Sequence, residues 1–493
     1  MKQRLTILFL TYVLLLSGVS AWGQKTLDSV VALRAAISKI LNNVATNNGM
    51  TGIVIQSLES NTTLYERSPD TLFVPASNSK ILTSALALSS LGKDFIFSTK
   101  VMMQGKLDSD GVLNGTLKLA GAGDPLLQTS DIKSLAEQVF KAGVRQLHGK
   151  VLTDATRYDD TFLGEGWSWD DEPFYYAAPV SALNINENVV SVFVRPGKMV
   201  GDLVQVQIEP PTLRLTLSIT AKTTHSKTKP SLRVTRQHGV NVIQVSGTLP
   251  LDANPSCPAE TLTVPNPTDI AQEVFENALR EQGVTIEADA PLTNEEGMDW
   301  VPIAEVKSQP LYAILQKMNK PSDNLVAECL FKAVSAYQKV QGSWGASREM
   351  GQTYFQSLGI PKEQLSLVDG SGLSRQNLVT PRNLVRVLTT LYRSPDYSVF
   401  YDSLPIAGVD GTLQHRMNKT SAENNCRAKT GSLSNVRSLS GYVTTQDGEP
   451  LVFSILMNHY KHPKVSAREL QDKIVVLLAN FRRQTLTDPE TNP

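Results

Sequence analysis

The chain has 493 residues, which is more than one hydrophobic core normally organises, so its length predicts two or three domains. Lysine and arginine together number 47, as do aspartate and glutamate, and the formal net charge at pH 7 is therefore zero. This balance excludes an overall basic field that would attract nucleic acid or an anionic membrane.

The first 21 residues have the pattern of a secretory signal. Lys2 and Arg4 precede an apolar run over 5–16, and small residues follow up to Ala21. This order of charged, apolar and small residues predicts cleavage after Ala21, with Gly23 as the alternative site. The run is short and interrupted by polar residues, so we expect no integral membrane span after the signal is removed.

A helix and two strands are predicted before the first motif. Apolar residues from Leu27 to Val44 have the spacing of an amphipathic helix. Strands are predicted over 52–58 and 63–65. The extended apolar stretch 73–76 then leads into an alanine- and leucine-rich helix that begins at Ser77.

Ser77 and Lys80 lie three positions apart and therefore on one face of this helix. The amine of Lys80 is then within reach of the Ser77 hydroxyl, and a lysine that burial or neighbouring cations keep neutral can take the proton of a serine. The apolar lead-in and the long helix distinguish this pair, since they place Ser77 near a helix N-terminus. The spacing alone has little specificity, because the chain repeats it at Ser90/Lys93, Ser130/Lys133 and Ser226/Lys229.

The sequence changes character between about residues 97 and 300. Alternating apolar and polar runs typical of strands appear there, for example over 203–208 and 241–245, with one clear helix over 131–142. We interpret this stretch as an insertion made of two small β-rich subdomains, one nested in the other.

Two further short motifs follow the insertion. Ser322-Asp323-Asn324 leads into a helix predicted over 325–331, and by itself it is typical of a helix N-cap. Lys429-Thr430-Gly431 occurs once and precedes a strand, and by itself it is typical of a turn with a solvated lysine.

The C-terminal part predicts a hairpin and a helix. The hairpin comprises strands over 438–443 and 451–457, and the helix runs over 465–481. Both ends of the chain are therefore expected to supply helices and strands to one sheet.

Taken in chain order, Ser-x-x-Lys, Ser-x-Asn and Lys-Thr-Gly are the signature set of penicillin-binding proteins and serine β-lactamases. Over essentially the whole mature chain, the sequence resembles the D-alanyl-D-alanine carboxypeptidases/endopeptidases of the penicillin-binding protein 4 type, the class C low-molecular-mass group. The long stretch between Lys80 and Ser322 favours this group over class A β-lactamases. Longer matching stretches are 123–127, 166–171, 176–183, 369–375 and 404–413.

The resemblance implies a mixed α/β (α+β) fold of the transpeptidase/serine β-lactamase-like kind. An antiparallel sheet covered by terminal helices would lie beside an all-helical region that carries the first two motifs, with a large β-rich insertion of two small subdomains. The expected division is a signal peptide over 1–21, a catalytic domain over 22–96 plus 301–493, an inserted subdomain over 97–125 plus 200–300, and a nested subdomain over 126–199.

The resemblance also implies catalytic roles. Ser77 would attack the carbonyl carbon of the penultimate D-alanine, with Lys80 as the base. Ser322 would pass a proton to the leaving nitrogen. Asn324 would orient Lys80, and the charge of Lys429 would help to keep Lys80 deprotonated and would attract the substrate carboxylate.

The resemblance implies that five further residues bind the substrate. Thr430 and Ser432 would donate hydrogen bonds to the substrate carboxylate, and Ser432 stands where threonine is frequent in the family. Gly431 would let the substrate approach the strand closely. Arg375 and Asp154 would bind the charged ends of a diaminopimelate-type side chain. The oxyanion hole would use the backbone N–H groups of Ser77 and Ser432.

The resemblance implies a periplasmic DD-carboxypeptidase/DD-endopeptidase, soluble or peripheral to the membrane, that acts on peptidoglycan stem peptides and is acylated by β-lactam antibiotics. The six histidines show no metal-ligand spacing, so we expect no metal and no cofactor. No nucleic acid partner is expected. Two alternatives remain open: a β-lactamase, and a non-catalytic protein that binds peptidoglycan or senses penicillin.

Overall fold

The computed structural model describes residues 29–42, 49–254, 257–287, 299–338, 340–461 and 466–483. The predicted signal segment 1–21 lies outside them. Helices in this part of the chain are α1 Val30–Leu41, α2 Ser79–Leu91, α3 Thr129–Lys141, α4 Pro267–Glu281, α5 Leu311–Asn319, α6 Asn324–Ala336, α7 Trp344–Ser357, α8 Pro381–Tyr392, α9 Tyr397–Ser403 and α10 Ala467–Ala479.

The strands are numbered in the same way. They are β1 Met50–Ser57, β2 Thr63–Arg67, β3 Ser98–Leu107, β4 Val112–Ala120, β5 Gln146–Asp154, β6 Val189–Arg195, β7 Gln205–Glu209, β8 Thr216–Ile219, β9 Lys222–Thr224, β10 Arg233–Arg236, β11 Val242–Ser246, β12 Thr248–Pro250, β13 Glu260–Thr263, β14 Thr285–Glu287, β15 Val301–Lys307, β16 Leu365–Ser366, β17 Leu378–Val379, β18 Arg427–Leu433, β19 Val436–Thr444 and β20 Pro450–Asn458.

A five-stranded antiparallel sheet joins the two ends of the described chain. Its order is β18-β19-β20-β1-β2. Helices α1 and α10 pack together over one face, and α8 packs against β1 and β20 on the other. Because both faces are covered, every residue of β20 after Pro450 is buried, which explains its almost continuous apolar sequence. The expected sheet with helices from both chain ends is confirmed.

The helices beside this sheet form a second layer. Helix α6 packs against α2, α5 and α7, and all of its residues after Asn324 are buried. Helix α2 is buried from Ser79 to Leu88 because it also packs against neighbouring helices. The expected all-helical region is therefore present, and the contact between α2 and α6 brings the first two motifs together.

The outer part of the insertion is a second five-stranded sheet, of order β14-β5-β4-β3-β15. Helices α3 and α4 pack against each other and against this sheet. The expectation of one clear helix in the insertion was wrong, because α4 is a second one. Its sequence signals were present: Asn266 caps the helix, Pro267 occupies its first turn, and buried apolar residues recur at helical spacing from Ile270 to Leu279.

Strands β6 to β13 form smaller sheets between β5 and α4. The division of the insertion into two subdomains stays a prediction, but strand pairing gives information about the boundaries between them. Strands β4 and β5 pair in parallel along their whole length, so an inner boundary near residue 126 would separate strands of one sheet. We therefore place the nested part between the end of β5 and the start of α4.

No helix of the described residues has both the length and the apolar character that crossing a membrane requires. The three cysteines are unpaired in this structure. Cys329 and Cys426 are buried, and Cys257 is exposed.

Candidate active site

Ser77 lies in a tight 3₁₀ turn, Ala76–Asn78, at the start of α2. The turn is anchored to the sheet: the side-chain amide of Asn78 donates to the carbonyl of Lys429 at 2.9 Å, and the hydroxyl of Ser438 donates to the carbonyl of Pro75 at 2.6 Å. The half-buried Ser77 is therefore held against β18 and β19.

Gly431 is required by this close approach. A Cβ atom at Gly431 would lie 2.0 Å from the Ser438 hydroxyl oxygen, 2.7 Å from the carbonyl oxygen of Pro75 and 3.0 Å from the backbone nitrogen of Ser77. The last two atoms belong to the backbone and cannot rotate away. The structural reason for the glycine is thus the contact between β18 and the Ser77 turn, in addition to the substrate approach expected from the sequence.

Lys80 lies one turn further along α2 and is completely buried. Its Nζ atom is 3.1 Å from the Ser77 hydroxyl oxygen, 2.7 Å from Oδ1 of Asn324 and 2.9 Å from the carbonyl oxygen of Ser371. A neutral amine has two N–H donors and one lone pair. If Asn324 and Ser371 accept the two N–H donors, the lone pair is left to accept from the hydroxyl of Ser77.

Burial lowers the pKa of the Lys80 amine to about 8, against the opposing effect of Glu328, Asp323 and Asp369. A lysine with its ordinary pKa of about 10.4 would be almost fully protonated at neutral pH. The buried amine is neutral in a much larger fraction of molecules, as a general base must be.

The second and third motifs contact each other through Ser322 and Lys429. The Nζ atom of the fully buried Lys429 is 2.8 Å from the hydroxyl oxygen of Ser322. Burial, with a contribution from nearby Lys80, lowers the pKa of Lys429 well below its usual value. Ser322 has a positive φ of 71°, which is strained for a residue with a side chain.

These residues border one groove of about 710 Å³. Strand β18 is an outer strand of the described sheet, and its residues from Thr430 to Leu433 line one side. The hydroxyl of Thr430 donates to that of Thr412, also in the lining, at 2.7 Å. Ser77, Ser322, Asn324, Gly431, Ser432 and Arg375 are further lining residues. An outer strand beside a groove is the kind of site that can pair with an extended peptide.

The two predicted charge-binding residues have different positions. Arg375 lines the groove and donates from its guanidinium to the carbonyl of Ser434 at 3.1 Å. Asp154 is not part of the groove lining: it pairs with Lys118 at 3.3 Å and borders a separate depression. The geometry brings Arg375, but not Asp154, together with Ser77.

Other carboxylates face the groove instead, from Asp170, Asp171, Glu187 and Asp323. Asp171 accepts a hydrogen bond from the hydroxyl of Tyr176, and the carbonyl of Tyr176 accepts one from the amide of Asn324 at 2.7 Å. The lining of the groove therefore contains carboxylates as well as the guanidinium of Arg375. We refer to Asp170 and Asp171 as the acidic wall.

The acidic wall is held by the nested part of the insertion. Glu172 pairs with the buried Arg236 of β10 at 3.0 Å and with His238 at 3.2 Å. The backbone carbonyl of Glu172 also accepts a hydrogen bond from the hydroxyl of Thr263 in β13. The insertion thus anchors a loop that borders Ser77.

A model of the D-Ala-D-Ala carboxypeptidase 3 (S13) family matches residues 33–481 of the chain. The chain belongs to this family. Among similar curated proteins, a D-alanyl-D-alanine carboxypeptidase from an Actinomadura species is 35% identical over 463 residues, which cover 91% of this chain and 85% of that protein. The D-alanyl-D-alanine carboxypeptidase DacB of Haemophilus influenzae is 30% identical over 434 residues, which cover 87% of this chain and 90% of that protein.

A solved structure agrees with the S13 assignment. The crystal structure of penicillin-binding protein 4 from Haemophilus influenzae superimposes with a TM-score of 0.77 at 27% identity, covering 90% of this chain and 98% of that one. The resemblance to penicillin-binding protein 4 and the mixed α/β fold class are thereby confirmed. The chain is a hydrolase of the D-Ala-D-Ala carboxypeptidase class.

Sequence reasoning missed three features of the site in this S13 carboxypeptidase. The acidic wall lies in a stretch that had been noted for its resemblance but not for its charge. Thr412 lies in another such stretch. The carbonyl of Ser371 gave no signal at all, because every residue has a backbone carbonyl.

Proposed function

We propose that the protein is a periplasmic DD-carboxypeptidase/DD-endopeptidase that cleaves D-Ala-D-Ala ends or D-Ala cross-links of peptidoglycan through an acyl-enzyme on Ser77. The observation that carries this proposal is the contact of the Lys80 amine with Ser77, at 3.1 Å, beside an open groove. The bacterial DacB relative and the signal-like N-terminus support the location.

Acylation follows from this geometry. Neutral Lys80 takes the proton of the Ser77 hydroxyl while the serine oxygen forms a bond to the carbonyl carbon of the penultimate D-alanine. Negative charge then develops on the carbonyl oxygen. We assign its stabilisation to the backbone N–H groups of Ser77 and Ser432, and the Ser77 N–H lies close to the start of α2.

The leaving nitrogen needs a proton when the peptide bond breaks. Ser322 is suited to supply it, because its hydroxyl contacts Lys429, which can replace the proton. The proton that Lys80 took from Ser77 must then pass to the Ser322–Lys429 pair, which gave one to the leaving nitrogen, so that Lys80 is neutral again. Water attacks the carbonyl carbon of the acyl-enzyme while Lys80 takes a proton from that water, and this proton goes to the Ser77 oxygen as the acyl bond breaks. The same steps release a terminal D-alanine or a cross-linked strand, and the open groove leaves room for either.

The charges of the groove suggest which stem peptides bind. Arg375 offers a guanidinium, and the acidic wall offers two carboxylates. A diaminopimelate-type residue carries both an ammonium and a carboxylate at the end of its side chain, so it fits this pair of charges. Thr430 and Ser432 are assigned to the carboxylate of the terminal D-alanine. We leave Asp154 out of this assignment, since Lys118 already neutralises it.

One assay separates the candidate functions. Purified mature protein is incubated with a peptide ending in D-Ala-D-Ala and, separately, with a fluorescent penicillin. Release of D-alanine together with a long-lived penicilloyl adduct supports the proposal. Rapid turnover of penicillin would instead identify a β-lactamase, and the absence of both reactions would identify a non-catalytic protein.

The rate of penicillin acylation is expected to rise with pH up to about pH 8 and then to level off. Only the neutral amine of Lys80 can accept the serine proton, and its pKa is lowered to about 8. Below that value, the neutral fraction increases about tenfold per pH unit. The second-order rate constant for adduct formation, measured between about pH 6 and pH 9, checks this. A constant rate over this range would contradict Lys80 as the base.

Asp170→Asn is expected to raise KM about 5-fold for a stem peptide whose third residue carries an ammonium, as expected for one ion contact near the surface. A peptide with a neutral third residue should be unaffected. Asp171 is a less suitable target, because it accepts the hydrogen bond of Tyr176. Asp154→Asn is the matched control and should change neither KM. Equal effects of Asp170→Asn on both peptides would contradict a role in charge recognition.

A further inference from the structure

Three consecutive backbone amides between β16 and β17 donate to two buried carboxylates. The N–H groups of Gly370 and Ser371 donate to the two carboxylate oxygens of Glu328, at 2.9 and 2.7 Å. The N–H of Gly372 donates to Asp369 at 2.7 Å. Both carboxyl side chains are 0% exposed, so water does not compete for these charge-assisted hydrogen bonds.

The same loop contacts the proposed base. The carbonyl of Ser371 accepts a hydrogen bond from Lys80 at 2.9 Å. The N–H of Gly372, which belongs to the same peptide unit, donates to Asp369. A single peptide unit is thus fixed at both ends, by Asp369 at its N–H and by Lys80 at its C=O. In the preceding peptide unit, Glu328 accepts from the N–H of Ser371, and the carbonyl of Gly370 accepts from the hydroxyl of Thr83 at 2.6 Å.

Glu328 also connects the loop to the second motif. It lies four residues after Asn324 on α6 and hence on the same face of that helix. Asn324 itself is the other acceptor of the Lys80 amine, at 2.7 Å. Helix α6 therefore supplies one acceptor for Lys80 directly and supports the other, the Ser371 carbonyl, through Glu328.

We propose that Glu328 and Asp369 are positioning residues for acylation, which hold the Ser371 carbonyl so that the lone pair of Lys80 points at Ser77. The inference rests on the proposed role of Lys80 as the base. Neither carboxylate lines the groove, so they act through the loop and not on the substrate.

Glu328 has a second effect on Lys80, through its charge. The ionisable groups around Lys80 are Glu328, Asp323, Asp369 and Lys429. The three carboxylates oppose the lowering of the Lys80 pKa by burial. Loss of the Glu328 charge should therefore lower the pKa of Lys80 further.

Groups around Glu328 set its own ionisation. Asp369 lies near it, and Lys332 follows one turn later on α6. The indole N–H of Trp344 donates to it at 2.7 Å and favours the ionised form, whereas burial and the neighbouring Asp369 raise its pKa. Glu328 is therefore expected to titrate nearer to neutral pH than an exposed glutamate does.

Glu328→Gln tests the proposal. The variant keeps the size of the side chain but turns an amide –NH₂ towards one of the loop N–H groups. We expect the acylation rate at its high-pH plateau to fall about 10- to 100-fold, as for a small misplacement of reacting groups. We also expect the rise of the rate to move to lower pH. Full pH profiles with a fluorescent penicillin measure both, and Glu349→Gln, at an exposed position on α7, is the control.

The pH profile distinguishes positioning from mere stabilisation. The proposal would be overturned if the acylation rate reached a lower plateau with its inflection at the wild-type pH and the melting temperature also fell. An unchanged pH profile of the acylation rate would overturn it as well. If Glu328→Gln does not fold, Trp344→Phe removes the hydrogen bond to Glu328 and keeps a ring over Lys332. It should shift the profile in the same direction by a smaller amount, and an unshifted profile would overturn the proposal. A wild-type protein that is not acylated would refute the proposed function itself.

Discussion

Ser77→Ala is expected to abolish both the penicilloyl adduct and the release of D-alanine, with a loss of rate of about 10⁴-fold or more. The reason is chemical, because alanine has no oxygen to form the acyl bond. Among the described residues, no other hydroxyl lies within hydrogen-bond distance of the Lys80 amine. Mass spectrometry of the protein after incubation with penicillin, together with an assay for free D-alanine, measures the two losses.

Ser90→Ala is the matched control for Ser77→Ala. Ser90 belongs to a second Ser-x-x-Lys sequence at the other end of α2, so the substitution is the same and the helix is the same. Ser90→Ala should retain wild-type activity. Ser77→Ala should melt within about 2 °C of the wild type, since it removes one half-buried hydroxyl. Adduct formation by the Ser77→Ala protein would require another nucleophile and would refute the assignment.

Lys80→Met is expected to lower the acylation rate by about 10²- to 10⁴-fold, the usual contribution of a general base. Methionine keeps much of the length of the side chain but cannot accept the proton of Ser77. The remaining slow reaction should also lose its rise towards pH 8, because the group responsible for that rise is absent. Rate constants for adduct formation across the pH range measure both effects.

Lys93→Met is the control for Lys80→Met, since Lys93 is the exposed lysine of the second Ser-x-x-Lys sequence. It should leave the rate and its pH dependence unchanged. Circular dichroism must show that Lys80→Met is folded, because the substitution deprives Asn324 and Ser371 of a donor. A folded Lys80→Met protein with wild-type kinetics would show that another group takes the proton.

The sequence predicted the parts of the site that depend on short motifs. Spacing along a helix placed Lys80 beside Ser77, and the motif order indicated that Ser322 and Lys429 would join them. The first two motifs lie at the starts of α2 and α6, where local rules apply, and Lys429-Thr430-Gly431 lies within the outer strand β18.

The sequence did not predict features that arise from contacts between distant segments. The Ser371 carbonyl reaches Lys80 because Glu328 and Asp369 hold its loop, and no spacing rule describes that arrangement. Gly431 was explained by substrate approach, whereas the atoms nearest to a Cβ there belong to Ser438 and the Ser77 turn.

The insertion was the least predictable region for the same reason. Strand β5 pairs in parallel with both β4 and β14. Alternation of apolar and polar residues predicts where strands lie, but it does not predict which strands pair. The acidic wall depends on the clamp between Glu172 and Arg236, which lie 64 positions apart. The resemblance pointed to Asp154, which borders a separate depression, and the local pattern did not single out Asp170 as a residue of the groove.

The anchoring of the Ser77 turn has a consequence for biosynthesis. Asn78 and Lys429 are 351 positions apart, and the Pro75–Ser438 contact spans 363. Domains generally fold in the order in which the ribosome delivers them, so α2 emerges long before the strands that complete its surroundings. The surroundings of Ser77 and Lys80 are therefore incomplete until β18 and β19 have been synthesised and have packed against the start of α2.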